Sequence, residues 1–111
     1  MANHMLVPKN QNLFEDYEYD LPLRMNWANA VKASIMLEGN WRLPTIQELE
    51  GMYDRLYCSG LENFKTDTPY WSIEEEGDDF AYPFDFSYTP IFSDGKSDKF
   101  FIRSVRDVKK L

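Results

Sequence analysis

Five carboxylates fall within six residues at Glu74-Glu75-Glu76-Gly77-Asp78-Asp79, with Trp71 just before them and Tyr82 just after. Such a cluster can hold a hard cation, which wants several oxygen ligands, or present negative charge to a basic partner. Rings beside it add contact area for a protein or a stacking surface for a glycan. Trp71, Glu74, Glu75, Asp78, Asp79 and Tyr82 are therefore the candidate ligand-binding residues. Calcium is the one cofactor these groups allow. Their spacing fits no EF-hand loop, and like charges crowded together are usually just solvated, so no cofactor or metal is assigned.

Other chemistry is sparse. Cys58 is the only cysteine, which excludes an intramolecular disulfide and a multi-cysteine metal site. Between Tyr57 and Ser59 at an expected helix end, it reads as a packing residue rather than a nucleophile. His4 is the only histidine and lies in Met1-Ala2-Asn3-His4-Met5, which looks like a cloning remnant, so it takes no role. Without a second histidine, serine hydrolase chemistry lacks its base. The five glycines are scattered and form no phosphate cradle. Acid pairs for glycoside hydrolysis are available by count, but no pair is marked out. Asp94-Gly95-Lys96-Ser97-Asp98 reads as a turn. The expectation is a protein that is not an enzyme.

Charge narrows the partners. The net charge of −7 is uneven: residues 62–94 hold nine acids and one base, Lys65, while residues 96–111 hold six bases and two acids. Repulsion from phosphates disfavours bulk nucleic-acid binding. No apolar run reaches transmembrane length, so no membrane partner is expected. No basic-then-apolar leader precedes the body. The chain as it stands reads as cytoplasmic, or as exported with its signal absent from this sequence. Lys109 and Lys110 read as a solvated terminus.

The elements that must position these residues are legible in part. A length of 111 residues with 43% hydrophobic content fits one domain with a real core, rich in Phe and Tyr. Met5-Leu6-Val7, stopped by Pro8, reads as an edge strand or a packed loop. Phe14 to Asp20 reads as a surface segment with its rings turned inward. A first helix is expected over Asn26–Glu38, with Trp27, Ala30, Val31, Ser34 and Ile35 as its inward stripe and Gly39 as its stop. A second helix is expected over Thr45–Cys58, ended near Gly60. Pro44 holds Leu43 extended, and Thr45 with Glu48 has capping-box spacing. Trp41 should plug the gap between the helices, and Arg42 should hold loop carbonyls or a carboxylate. Three strand-like runs follow: Tyr70–Ile73; Phe80 to Phe86, where Pro83 implies an edge or a bulge; and Phe100–Arg106. On the last, Arg103 and Arg106 should face opposite ways, one of them pairing with carboxylates. Helices followed by antiparallel strands argue an α+β fold.

Several of these residues together resemble a known family. Met25-Asn26-Trp27 with Ala30, then Gly39-Asn40-Trp41-Arg42-Leu43-Pro44-Thr45 with Glu48-Leu49, then Tyr70-Trp71-Ser72, then Val105-Arg106, are similar to a bacterial and phage-associated domain of unknown function. Its best-known member type is the C-terminal domain of Legionella collagen-like proteins. The likeness covers about Met25 to Asp107. It implies a C-type-lectin-like fold related to formylglycine-generating-enzyme domains: two helices packed on a small twisted antiparallel sheet, with a long loop region. It implies adhesion or ligand binding, while Trp27, Trp41, Arg42, Pro44, Thr45, Glu48 and Arg106 read as structural residues from their packing, turn, capping or pairing roles. Formylglycine-generating enzymes use a cysteine pair, where this chain has only Cys58. Calcium-dependent lectins use a Glu-Pro-Asn or Gln-Pro-Asp triplet with Trp-Asn-Asp, and neither is present. The resemblance implies neither of those activities.

The functional expectation is a binding module. Its acidic, aromatic surface between Tyr70 and Tyr88, extended by Phe14–Asp20, would recognise a protein with a basic patch or a glycan. The alternative is a small acidic inhibitor that mimics nucleic acid, given the charge of residues 62–94. Salt separates the two, because a mimic should lose affinity steeply as salt rises.

Overall fold

The computed structural model describes residues 6–9, 12–54, 64–65, 68–86 and 92–108. His4, Cys58, Gly60, Tyr88, Lys109, Lys110 and the end of the expected second helix lie outside them. The fold is α+β, in the order β1 (Leu6–Lys9), β2 (Asn12–Asp16), α1 (Trp27–Met36), α2 (Ile46–Met52), β3 (Tyr70–Glu76), β4 (Phe80–Phe84), β5 (Asp94–Gly95) and β6 (Val105–Val108). Two three-stranded antiparallel sheets form, ordered β1-β2-β6 and β3-β4-β5. Pro8 is tolerated because β1 is an edge strand.

The first helix starts where its cap predicts. Asn26 Oδ1 accepts from Asn29 N at 2.9 Å. It ends two residues before Glu38, because Leu37 is already extended with ψ 138°. The left-handed residues Gly39 (φ 119°) and Asn40 (φ 64°) belong to the turn that follows. Ile35 is exposed rather than part of the inward stripe, which runs through Trp27, Ala30, Val31, Ser34 and Leu37. Ile35 sits just too far round the helix to share that face.

Two apolar cores result. Leu49 and Met52 of α2 pack with Phe14, Tyr70, Phe84, Phe86 and Val105. Around Ala30 of α1 a second core collects Leu21, Leu43, Trp71, Ala81 and Ile102. Strand alternation explains the division: Tyr70 and Trp71 are neighbours on β3 and point to opposite faces, and both faces are covered. Among the described residues, no buried side-chain polar atom lacks a hydrogen-bond partner.

The last expected strand is two pieces. Phe100 bridges Met25 and Phe101 bridges Tyr70, residues 102–104 leave the ladder, and β6 then joins β2 in the other sheet. Leaving the ladder lets Arg103 turn inward, where it is buried. Within the expected turn Asp94–Asp98, Asp94 and Gly95 form the short strand β5, paired to Phe80 and Ala81, and the turn follows directly, with Asp98 N donating to Gly95 O at 3.0 Å. Among the described residues β5 pairs only with Phe80 and Ala81, which leaves β4 as an edge strand at Pro83. Opposite it, β3 shifts register between Trp71 and Glu75. Ser72 Oγ repairs this break by donating to Tyr82 O and accepting from Glu74 N.

Candidate functional site

The acidic cluster is not a loop. Glu74, Glu75 and Glu76 end β3, and residues 77–79 make a tight turn into β4. Gly77 supplies the left-handed residue of that turn, with φ 69°. Strand alternation and the register shift send the three glutamates to three different partners. Glu74 Oε2 accepts from Ile46 N at 3.1 Å, at the start of α2. Glu75 pairs with Lys96 Nζ at 2.6 Å. Glu76 accepts from Ser93 Oγ. Asp78 and Asp79 are exposed, and among the described residues their carboxylates make no ion pair.

Lys96 is the clamp of this region, and no local pattern around it marks that role. Its ammonium lies 4.5 Å from the centre of the Trp27 ring as well as beside Glu75. Trp27 in turn donates its indole N–H to Ser72 O at 2.9 Å. The hairpin is thereby tied to α1. Tyr82 hydrogen-bonds Glu76, and this, followed by desolvation and the charges of Glu76 and Glu74, pushes its hydroxyl up from the usual tyrosine range. Desolvation first, then the charge and hydrogen bond of Asp98, pushes the Asp94 carboxyl up.

Trp71 does not belong to this face. It is fully buried and donates its indole N–H to Met25 O at 2.9 Å. The exposed rings here are Phe80, 48% exposed, and Phe92, 72% exposed. Strict alternation from Phe80 to Phe86 implies one buried face and so hides Phe80, and no pattern around Phe92 singles that ring out. Of the face shared by Phe80, Tyr82 and Phe84, only Phe84 is buried, while Ala81 and Pro83 on the opposite face are both buried. The segment Phe14–Asp20 is only partly available to a partner. Phe14 and Asp16 are buried, and Tyr19 is its exposed ring.

The remaining candidate residues form the joint between the helices. Glu48 is buried and does three things. It accepts from Thr45 N at 2.8 Å, completing a capping box in which Thr45 Oγ1 accepts from Glu48 N. It also takes a bidentate pair from Arg42, with both N···O distances 2.8 Å. Arg42 Nη2 reaches Asp107 of β6 at 2.7 Å, and Nη1 donates to Leu43 O. The hydrogen bonds it donates to Glu48 are the main reason the Arg42 guanidinium holds its proton more tightly than a free arginine. Pro44 is buried, and its carbonyl accepts from Ile73 N of β3 at 2.8 Å. Trp41 packs edge-on to Tyr17 with ring centres 4.9 Å apart, beneath the Arg106 guanidinium at 4.5 Å. A side chain at Gly39 would collide with Arg106 and Trp41.

Both tail arginines are paired. Arg106 binds Glu15 and Gly39 O. Arg103 is deeply buried, with Asp16 Oδ2 at 2.9 Å, Asp20 Oδ1 at 2.8 Å and the Phe64 ring centre at 4.2 Å. A charge inside the apolar run Phe101-Ile102-Arg103-Ser104-Val105 was the signal for this. Its partners, some 85 residues earlier in sequence, carried none.

Among the described residues, no three or more His, Cys, Asp or Glu side chains converge where they could hold a metal ion. No helix among them is long and apolar enough to cross a membrane. Comparison with family models and with curated proteins gives no match.

Proposed function

We propose that the chain is a non-enzymatic binding module whose recognition face is the β3–β4 hairpin tip. The observation that carries this reading is the exposed ring of Phe80 directly beside Asp78 and Asp79, two carboxylates without an ion pair among the described residues. A buried scaffold that satisfies its own charges has no use for either feature. Ring and carboxylates together suit a protein with a basic, partly apolar patch. With Trp71 in the core, a stacked glycan would have to rest on Tyr82, Phe80 or Phe92, and a protein partner is favoured. The five acids sit at one tip rather than along a duplex-length face, which supports a local contact over a nucleic-acid mimic.

The family likeness and the C-type-lectin-like fold are part of the same proposal. Two helices packed beside small antiparallel sheets support them. An experimental structure that does not superpose on that fold would remove this part alone.

The test is affinity capture from the native host with wild type, a Phe80→Ser/Asp78→Asn/Asp79→Asn variant, and Trp71→Ala. The triple variant should keep its circular dichroism and lose the partners that wild type captures. Trp71→Ala should instead lower the melting temperature. Equal capture by the folded triple variant would remove the hairpin tip as the face.

A further inference from the structure

A second surface, independent of the hairpin, has the opposite character. A groove of about 420 Å³ runs between α1 and the segment that leads into it. Its apolar lining includes Leu23, Met25 and Met36, and its charged lining is Arg24, Lys32 and Lys99. None of the described lining residues is acidic. In a chain of net charge −7, this is a local reversal of sign. Among the described residues the three cations make no ion pair. They contrast with Arg42, Arg103 and Arg106, each of which holds a carboxylate.

The apolar part is unusually open. Leu23 is 68% and Met36 78% exposed. Large apolar side chains left in water around a concavity mark a contact surface more often than scattered exposed residues do. Methionine adapts its shape to different apolar partners. Asn26, Asn29 and Ala33 also line the groove, which therefore follows α1 from its cap to its last residue, Met36.

We infer that this groove is a docking site for an acidic peptide segment with a large apolar side chain, its carboxylates meeting Arg24, Lys32 and Lys99 and its apolar side chain lying against Leu23 and Met36. A segment of another protein fits better than an anionic membrane. The surface is concave, only three cations contribute, and the net negative charge of the rest of the chain would oppose a charged sheet of lipid.

The experiment is fluorescence anisotropy with a labelled, end-blocked peptide Asp-Glu-Phe-Leu-Glu-Asp, run at about 50 mM and about 300 mM salt. Its control is the same peptide with Ser-Ser in place of Phe-Leu. Wild type should bind the first peptide about tenfold more tightly than the control and should weaken at the higher salt. Lys32→Glu/Lys99→Glu should weaken binding about tenfold or more, and Met36→Ser should remove the preference for Phe-Leu. All three positions are exposed, so the variants should keep the wild-type melting temperature, and that is checked first. Undiminished binding by the folded double variant, equal binding of the two peptides, or no binding up to about 1 mM would overturn the inference. So would charge-dependent binding to phosphatidylcholine–phosphatidylserine vesicles without peptide binding, or self-association lost in the double variant without peptide binding. Because Phe80, Asp78 and Asp79 are intact in these variants, failure here leaves the hairpin reading standing.

Discussion

The joint around Arg42–Glu48 and the tip around Glu74–Phe80 use the same side chains for opposite ends. At the joint a buried glutamate is held by two arginine nitrogens and a backbone amide, and Asp16 and Asp20 likewise enclose Arg103. At the tip, Asp78 and Asp79 face water and Phe80 lies half uncovered beside them. The number of acids therefore says little about role. What separates Glu48, Asp16 and Asp20 from Asp78 and Asp79 is whether, among the described residues, the carboxylate has been given a counter-charge; Glu74, Glu75 and Glu76 at the base of the tip each have a partner of their own. A buried charge needs such a partner, because desolvation otherwise costs several kcal/mol; an exposed one does not.

The largest effect that would test this contrast is at Arg103. Arg103→Ala leaves two carboxylates facing an apolar interior without their cation. Breaking a buried pair from one side costs about 3–5 kcal/mol. That is a large fraction of the ~5–15 kcal/mol typical of a domain, so the urea midpoint should fall sharply. Adding Asp16→Asn and Asp20→Asn to the same variant should recover part of the loss, since neutral amides need no counter-ion. If Arg103→Ala cost no more than a surface substitution, the idea that this region is built on compensated charge would be lost.

An intermediate effect comes from Tyr70, which ties the Arg103 site to the core. Its hydroxyl donates to Asp20 and accepts from Lys65 N, both at 2.8 Å. Burial, reinforced by the Asp20 charge, pushes the hydroxyl above its ordinary value of 10.0. The folded state then keeps a proton that the unfolded chain releases, so stability falls as pH rises past about 10, by about 1.36 kcal/mol per pH unit for this group. Tyr70→Phe should start less stable near neutrality, having lost two hydrogen bonds, and should show a shallower decline between about pH 10 and 12. Parallel declines in both proteins would place the alkaline sensitivity elsewhere.

How much of this was legible in the sequence follows the same division. Local chemistry was readable. Thr45-x-x-Glu48 is a capping box, Asn26 is a cap and Pro8 marks an edge strand, because each effect is confined to a few residues. Placement that depends on a second layer was not. Trp71 next to a run of acids looked like the rim of a site, but β3 is covered on both faces, and only the packing of α1 reveals that. Phe100–Arg106 read as one strand, because nothing local shows that the chain must change sheets so that Arg103 can meet Asp16 and Asp20. The reversed error occurred at Phe80, where a correct period-two reading could not show that its face of β4 is buried only at Phe84. The groove beside α1 combines residues 23–36 with Lys99, so no single stretch of sequence displays it.

The smallest expected effect is the most discriminating for the tip. Asp78→Asn/Asp79→Asn removes two exposed charges that neighbour Glu75 and Glu76 and have no ion pair among the described residues. Exposed substitutions away from caps, cores and ion pairs usually change stability by less than about 0.5 kcal/mol. Here relief of repulsion within the cluster should make the sign slightly favourable, more so at low salt, where screening is weakest. The urea midpoint should therefore stay level or rise a little, and the difference should shrink as salt is added. A clear fall in the midpoint would mean that these aspartates stabilise the hairpin turn itself. Their charge would then be structural like that of Glu48, and the distinction between joint and tip would hold for Phe80 alone.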